Sequence, residues 1–178
     1  QVGENLSQLL QNKGHVCTLV YPDKNHSDRE KRVYGVKPND VESFQILCQE
    51  IKDDSPSAVT GIIHLWSLNT EFAEELTPSN LEKAKILGCG SVLYILQALT
   101  TIINFKISNL WLITKGCQSI TANSNNNSHK IQLQQTPLWG LGKAITLEHP
   151  EYQCRCLDLS PQFNTNDSAS ILLEEILN

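Results

Sequence analysis

The sequence predicts an α/β fold, a truncated dinucleotide-fold-like (Rossmann-like) parallel sheet flanked by helices in a single domain, and three observations predict it. Runs of β-forming residues at 15–21, 58–66 and 107–114 alternate with amphipathic segments along the chain. The runs at 58–66 and 107–114 are almost continuously apolar, as strands covered on both faces are. Near the C-terminal end, a helix opening at Thr136-Pro137 is stopped by Pro150 and feeds at once into a strand that begins at Cys154, which is half of an α/β crossover unit. With 178 residues, 40% hydrophobic and 19% charged, the chain is long enough to bury one core, so residues 1–178 read as one domain.

The elements follow in order. Residues 1–13 form an amphipathic helix with Val2, Leu6, Leu9 and Leu10 on one face, and Gly14 is placed to end it. The strand at 15–21 is closed by Pro22, and residues 23–32 are a charged connection. A short strand at 33–36 precedes a helix carrying Val41, Phe44, Leu47, Cys48 and Ile51, with Asn39 or Asp40 as its cap. Asp53-Asp54-Ser55-Pro56 is a turn into the strand at 58–66. After a loop at 69–76, Thr77-Pro78 opens the longest helix, expected to run to about Asn104. Gly88 and Gly90 interrupt that helix, which points to another backbone packed against them. The strand at 107–114 leads to a polar loop at 119–127, then to the helix from Pro137, where Thr136 is the expected N-cap. The last helix spans 167–178 and bears Ile171, Leu172, Leu173 and Ile176.

Charge and cysteine usage exclude several classes of function. A net charge of -5 provides no basic face for nucleic acid or an anionic membrane. The six cysteines lie mostly in apolar runs with no Cys-x-x-Cys spacing, so they read as reduced thiols of a cytoplasmic protein rather than a disulfide framework or a metal site. Five histidines add no matched ligand spacing. No hydrophobic run approaches the roughly 20 residues of a membrane span, and no signal peptide is visible. The chain has no methionine and opens directly on a helix, so a strand is expected before Gln1 and the sequence reads as part of a longer one.

In a dinucleotide-binding fold such a strand leads into a glycine-rich turn that lets the backbone approach a pyrophosphate. Here the corresponding stretch is Gln1-Val2-Gly3-Glu4-Asn5-Leu6: one glycine, followed by an acid where a phosphate needs positive potential.

Four ordered motifs carry a family resemblance over almost the whole chain. They are His64-Leu65-Trp66-Ser67-Leu68, Leu87-Gly88-Cys89-Gly90-Ser91-Val92-Leu93, Leu110-Trp111-Leu112-Ile113-Thr114-Lys115-Gly116, and the run from Pro137 through Trp139-Gly140-Leu141-Gly142-Lys143 to Glu151 with Leu157-Asp158-Leu159. Together they resemble the ketoreductase regions of modular (type I) polyketide synthases, which are built from two halves that both look like short-chain dehydrogenases/reductases. Every matched motif belongs to the N-terminal, structural half. The resemblance implies a segment that braces a C-terminal half, in which NADPH and the catalytic residues reside.

The site positions point the same way. Short-chain reductases carry Tyr-x-x-x-Lys on the helix before their sixth strand, the tyrosine donating a proton to the carbonyl and the lysine lowering its pKa. The matching register here reads Trp139-x-x-x-Lys143, and an indole N–H does not ionise usefully near neutral pH. The Asn-Asn-Ala-Gly run of those enzymes is replaced by Leu65-Trp66-Ser67-Leu68, and their serine has no counterpart after Thr114, Ser119 being the nearest. Trp139 and Lys143 are therefore degenerate site positions, and no catalytic, cofactor-binding or metal-binding residue is expected.

The resemblance further implies the catalytic ketoreductase half as the direct partner, with the acyl carrier protein and neighbouring synthase domains reached indirectly. It also implies that the helices at 81–103 and 138–148 meet that half, with Gly88, Gly90, Gly140 and Gly142 allowing close approach. Two alternatives stand beside this reading: a divergent NADPH-dependent short-chain reductase using Lys143 with another acid, and a module binding a different nucleotide.

Overall fold

The computed structural model describes residues 1–22, 28–54, 59–70, 77–102, 106–118 and 131–178. These carry α1 (Val2–Asn12), β1 (Leu19–Pro22), β2 (Val33–Val36), α2 (Val41–Asp54), β3 (Gly61–His64), α3 (Pro78–Lys85), α4 (Ser91–Thr101), β4 (Asn109–Lys115), α5 (Pro137–Glu148), β5 (Arg155–Leu159) and α6 (Thr165–Leu177). Every registered strand pair is parallel, as the sequence predicts. Among the described residues the hydrogen bonds join the strands as a two-stranded sheet, β1-β2, and a three-stranded sheet, β3-β4-β5, where one parallel sheet was expected. The β1-β2 ladder ends with Pro22 opposite Val36, and Pro38 follows β2; neither proline has an N–H with which to extend it. By packing, the described residues form two compact units, Gln1–Lys37 with Gln162–Asn178, and Pro38–Pro161.

In the first unit α1 packs on α6, burying Leu6 and Leu10 on one helix and Ala169 and Leu172 on the other. The end of α1 is a Schellman motif: Gly14 (φ +87°) donates to Gln11 O at 2.9 Å and His15 to Leu10 O at 3.1 Å. The second of these bonds takes His15 out of the strand expected at 15–21. Val16, 71% exposed, has no core to face, and the ladder begins at Leu19. Asn164 starts α6 by accepting from the backbone N–H groups of Asn166 (2.8 Å) and Asp167 (3.0 Å), two residues earlier than hydrophobic periodicity places the helix.

The second unit is organised on β4, whose residues Leu110 to Thr114 are all buried because β3 and β5 flank it and helices cover it. Asp40 caps α2 through the Glu42 N–H at 3.1 Å, and Thr77 caps α3 through Asn80 N–H at 3.2 Å, both as expected. The strand at 58–66 is shorter than predicted: Ala58 lies outside the described residues, and after His64 the chain turns into a 3₁₀ turn, Trp66–Asn69. The expected cap at Thr136 is not formed. Thr136 is already helical (φ −59°, ψ −32°), because the 3₁₀ turn Leu133–Gln135 runs straight into α5, and its hydroxyl donates back to Leu133 O at 2.7 Å.

The longest helix is three pieces in one run, α3, a π turn at Ile86–Gly90, and α4. Its expected end near Asn104 lies outside the described residues, and α4 closes at Thr101. The two glycines serve the π turn rather than a neighbouring backbone. A Cβ on Gly88 would meet nothing within 4 Å, and one on Gly90 would meet only Lys85 O of its own turn at 3.1 Å. Joined through that turn, the 24 residues Pro78–Thr101 are long and apolar enough, by length and composition alone, to cross a membrane, which corrects the expectation that no run approaches that size. Of its most apolar window, 44% is buried inside the protein, and α4 packs on α2, as a core helix does.

Candidate functional site

Parallel α/β sheets place their ligand sites at the carboxyl ends of the strands. Here that edge is filled by the chain's own polar groups. Register pairs Thr114 with Asp158 and Leu112 with Cys156, putting all four on the face of the sheet that α5 covers. From α5, the Trp139 indole N–H donates to Thr114 Oγ1 at 3.0 Å, and the Thr114 hydroxyl donates in turn to Asp158 Oδ1 at 2.7 Å. The Asp158 carboxylate also accepts the backbone N–H of Cys117 (2.9 and 3.0 Å) and of Gln118 (2.9 Å). Two successive amides aimed at one carboxylate form an anion-binding nest. The turn that aims them needs Gly116, at φ +72°, whose N–H donates to Leu159 O at 3.0 Å; a Cβ there would stand 2.9 Å from Pro161 Cγ.

A second circuit closes the other flank. Gln135, 4% exposed, accepts the Lys115 N–H at 3.0 Å and donates to Thr70 Oγ1 at 3.1 Å; Thr70 donates in turn to Ser67 O at 2.6 Å. The Ser67 hydroxyl donates to Ile113 O, tying the turn after β3 to the middle strand. Cys117 is buried in this circuit and its thiol is pushed up to about 11, first by desolvation.

At the end of β3, His64 is 4% exposed and its Nε2 lies 2.9 Å from Ser91 Oγ. Ser91 donates to the π-turn carbonyls of Leu87 (2.9 Å) and Gly88 (3.0 Å), so its oxygen accepts from a protonated Nε2 and Nδ1 is left a bare acceptor with no partner in the structure. Desolvation drives the His64 pKa down to about 4. A serine bonded to a histidine has the outline of a nucleophile with its base, yet Ser91 is fully buried and no substrate reaches it.

The structure brings Trp139 into this edge, half-buried and bonded to Thr114. Lys143, one turn on, is exposed and makes no ion pair among the described residues. Ser119 lies outside the described residues. Sequence reasoning missed Asp158 as the hub, together with Gln135, Ser67 and the His64–Ser91 pair; the signal available was Asp158 standing alone in an apolar strand.

Among the described residues, the two backbone sites that could take a phosphate are met by the chain's own carboxylates. Within the first unit, the N-terminal turn of α1 carries Glu4, which accepts a 2.6 Å hydrogen bond from the Tyr21 hydroxyl and puts a carboxylate where a pyrophosphate would need bare N–H groups. In the second unit, the nest that could receive an anion already holds Asp158. Among the described residues no three His, Cys, Asp or Glu side chains converge to hold a metal.

The other surface of the second unit contrasts with this edge. Leu93 and Leu96 of α4 with Leu141, Ala144 and Ile145 of α5 line a shallow groove of about 210 Å³, rimmed by Glu148. Leu93 is 44% exposed and Leu147, on α5, 83%. The glycines of α5 divide in role. A Cβ on Gly142 would sit 2.3 Å from Cys156 Sγ and 3.3 Å from Leu112 Cδ1, so this glycine lets α5 settle on the sheet, whereas a Cβ on Gly140 would meet nothing within 4 Å.

Comparison with known proteins accords with the fold. No functionally curated protein matches the chain. Among solved structures it is similar to a multidomain structure of a keto acid-selecting NRPS module containing adenylation, ketoreductase and pseudo Asub parts (TM-score 0.76, 19% identity, 96% of this chain and 14% of that one). It is also similar to an N-terminal ketoreductase from the macrolactin assembly line (TM-score 0.72, 13% identity, 100% of this chain and 35% of that one). A short-chain dehydrogenase/reductase from Vibrio parahaemolyticus superposes with TM-score 0.67 at 14% identity, over 96% of this chain and 86% of that one. The chain thus spans well under half of the two assembly-line structures, and the likeness establishes a reductase-like, Rossmann-like fold. One family model covers residues 2–178, and by that match the chain belongs to the family described as beta-ketoacyl synthase-like, N-terminal.

Proposed function

We propose that this chain is the non-catalytic structural subdomain of a polyketide synthase ketoreductase, or of an inactive pseudo-ketoreductase, and that it braces a separate catalytic subdomain. In that arrangement the catalytic subdomain binds NADPH and reduces β-keto groups of carrier-bound acyl chains, while this segment holds no cofactor. The observation that carries the reading is the relay from Trp139 through Thr114 to Asp158, which fills the strand edge with side chains that cannot donate a proton to a carbonyl. Lys143 lacks the phenol it would activate. The similarity to ketoreductase structures supports the assignment to a ketoreductase region, within which this chain accounts for one part.

The partner follows from the same reading. The apolar groove that includes Leu93, together with exposed Leu147 on α5, is the surface on which a second, reductase-like half would dock. Carrier protein and neighbouring synthase domains are reached through that half, in the cytoplasm. The test is co-purification of this chain with the catalytic ketoreductase half of the same synthase. Leu93→Glu with Leu147→Glu should abolish the complex while leaving the melting temperature of this chain nearly unchanged. A complex that survives both changes places the docking surface elsewhere, and no complex with the native chain sinks the bracing role.

A further inference from the structure

Two of the six cysteines, Cys154 and Cys156, are brought together under one helix. Cys154 and Cys156 flank Arg155 at the start of β5, and both sulfurs lie beneath the bare Cα of Gly142, 2.3 Å (Cys156) and 3.9 Å (Cys154) from where a Cβ would stand. Two residues apart in an extended segment, they lie on the same side of the chain, close enough for each to perturb the ionisation of the other. Both are half-buried, at the end of an edge strand of the three-stranded sheet. Residues two apart in a strand stand about 6.5 Å apart at Cα, at the long end of what a disulfide spans. The β4-β5 ladder begins only at Arg155, and Gln153 is left-handed (φ +42°), so Cys154 lies outside the paired strand and can close that gap.

We propose that Cys154 and Cys156 are a redox-active pair that closes to an intramolecular disulfide by exchange with a small disulfide such as oxidised glutathione. Cys156 is the attacking thiol. Its pKa is lowered, first by the neighbouring Cys154 side chain and then by the ammonium of Lys143, against the effect of burial, whereas those of Cys17, Cys48, Cys89, Cys117 and Cys154 are all raised. The Cys156 thiolate attacks one sulfur of the glutathione disulfide, forming a mixed disulfide and expelling one glutathione thiolate. That step also frees Cys154. Its side-chain interaction with Cys156 and the repulsion from the Cys156 charge, two of the three causes that hold its proton on, disappear together. Cys154 then loses its proton to solvent and attacks Cys156 Sγ, forming the internal bond and expelling the second glutathione thiolate. The protein gives up two electrons and two protons, and one glutathione disulfide becomes two glutathiones. A bond at the long end of its span is readily reduced again, as suits a reversible modification.

The experiment is to incubate the native chain with oxidised glutathione, trap remaining thiols with iodoacetamide and digest with trypsin. Because trypsin cuts after Arg155, between the two cysteines, a Cys154–Cys156 bond appears as two peptides that separate only on reduction. The expected result is that linked species, with the other four cysteines alkylated. Cys154→Ser should instead stop as a glutathione adduct on Cys156. In a second measurement needing no oxidant, Lys143→Gln should slow iodoacetamide labelling of Cys156 by roughly threefold at neutral pH. A native chain that stops at a stable adduct, or in which another cysteine reacts first, overturns the pair. An unchanged labelling rate in Lys143→Gln overturns the account of why Cys156 leads.

Discussion

Two surfaces of the Pro38–Pro161 unit differ in how they are finished. The carboxyl edge of the sheet is closed: each strand end is tied to its neighbours, Ser67 to Ile113, Gln135 to Lys115, Asp158 to Thr114, Cys117 and Gln118, with Trp139 bonded over it. The α4/α5 face is left apolar and open, with a groove between the two helices lined by Leu93, Leu141 and Ala144, and with Leu147 of α5 83% exposed. A folded protein gains nothing on its own by holding apolar side chains in water, whereas satisfying buried donors contributes directly to stability. The difference teaches that the site edge is shaped for internal stability, while the proposed bracing role would use the helical face for contact, and each substitution below should register on one side of that division only.

The largest effect should come from Asp158→Ala. It strands the Thr114 hydroxyl and two amides at once, at a cost of about 3–5 kcal/mol, read as a fall of roughly 10 °C in melting temperature. A loss under about 1 kcal/mol would mean that the carboxylate does not seal the edge. Acid should attack the same edge through His64. The unfolded chain takes up this proton near pH 6.5 and the folded chain only near 4. Stability from this residue is therefore unaffected above 6.5, falls as pH drops from 6.5 to 4, and is level below that, a total of about 3 kcal/mol. Urea unfolding of the native chain against His64→Gln across that window measures it; parallel pH curves would show that His64 is not the titrating group.

Smaller effects sharpen the contrast. Gly142→Ala should destabilise by about 1–3 kcal/mol, because the new methyl group meets Cys156 and Leu112. Gly140→Ala, two residues away, should be neutral or gain up to about 1 kcal/mol of helix propensity. Equal effects at the two glycines would contradict the packing of α5 on the sheet. Trp139→Phe should cost about 1 kcal/mol through the lost bond to Thr114. At the open face Leu147→Glu should move stability by no more than about 0.5 kcal/mol.

How much of this was readable in advance depends on the range of the interactions. Periodicity found β4 and α5 because burial repeats locally; Thr77, Asp40 and Gly14 were found because a cap acts within a few residues. The Trp139 position showed the missing proton donor by residue type alone. Asp158 stood out only as an acid in an apolar strand, and its role as a hub was not legible, since its partners are 40 to 44 residues away in sequence and meet only when β4 and β5 pair. The π turn was hidden for a different reason: two glycines and a serine in a helix suit several local geometries, and the bonds from Ser91 to Leu87 and Gly88 select this one. The division between Gly140 and Gly142 likewise required knowing which side of α5 faces the sheet.

The central claim, that the strand edge is sealed and this chain braces rather than reduces, is tested most directly by titrating NADPH into the 178-residue chain and following nicotinamide fluorescence. The account predicts no saturable change for the native chain, and none for Trp139→Tyr, which restores the phenol without a place for the hydride donor. Saturable binding by the native chain, or NADPH-dependent turnover by Trp139→Tyr, would contradict it.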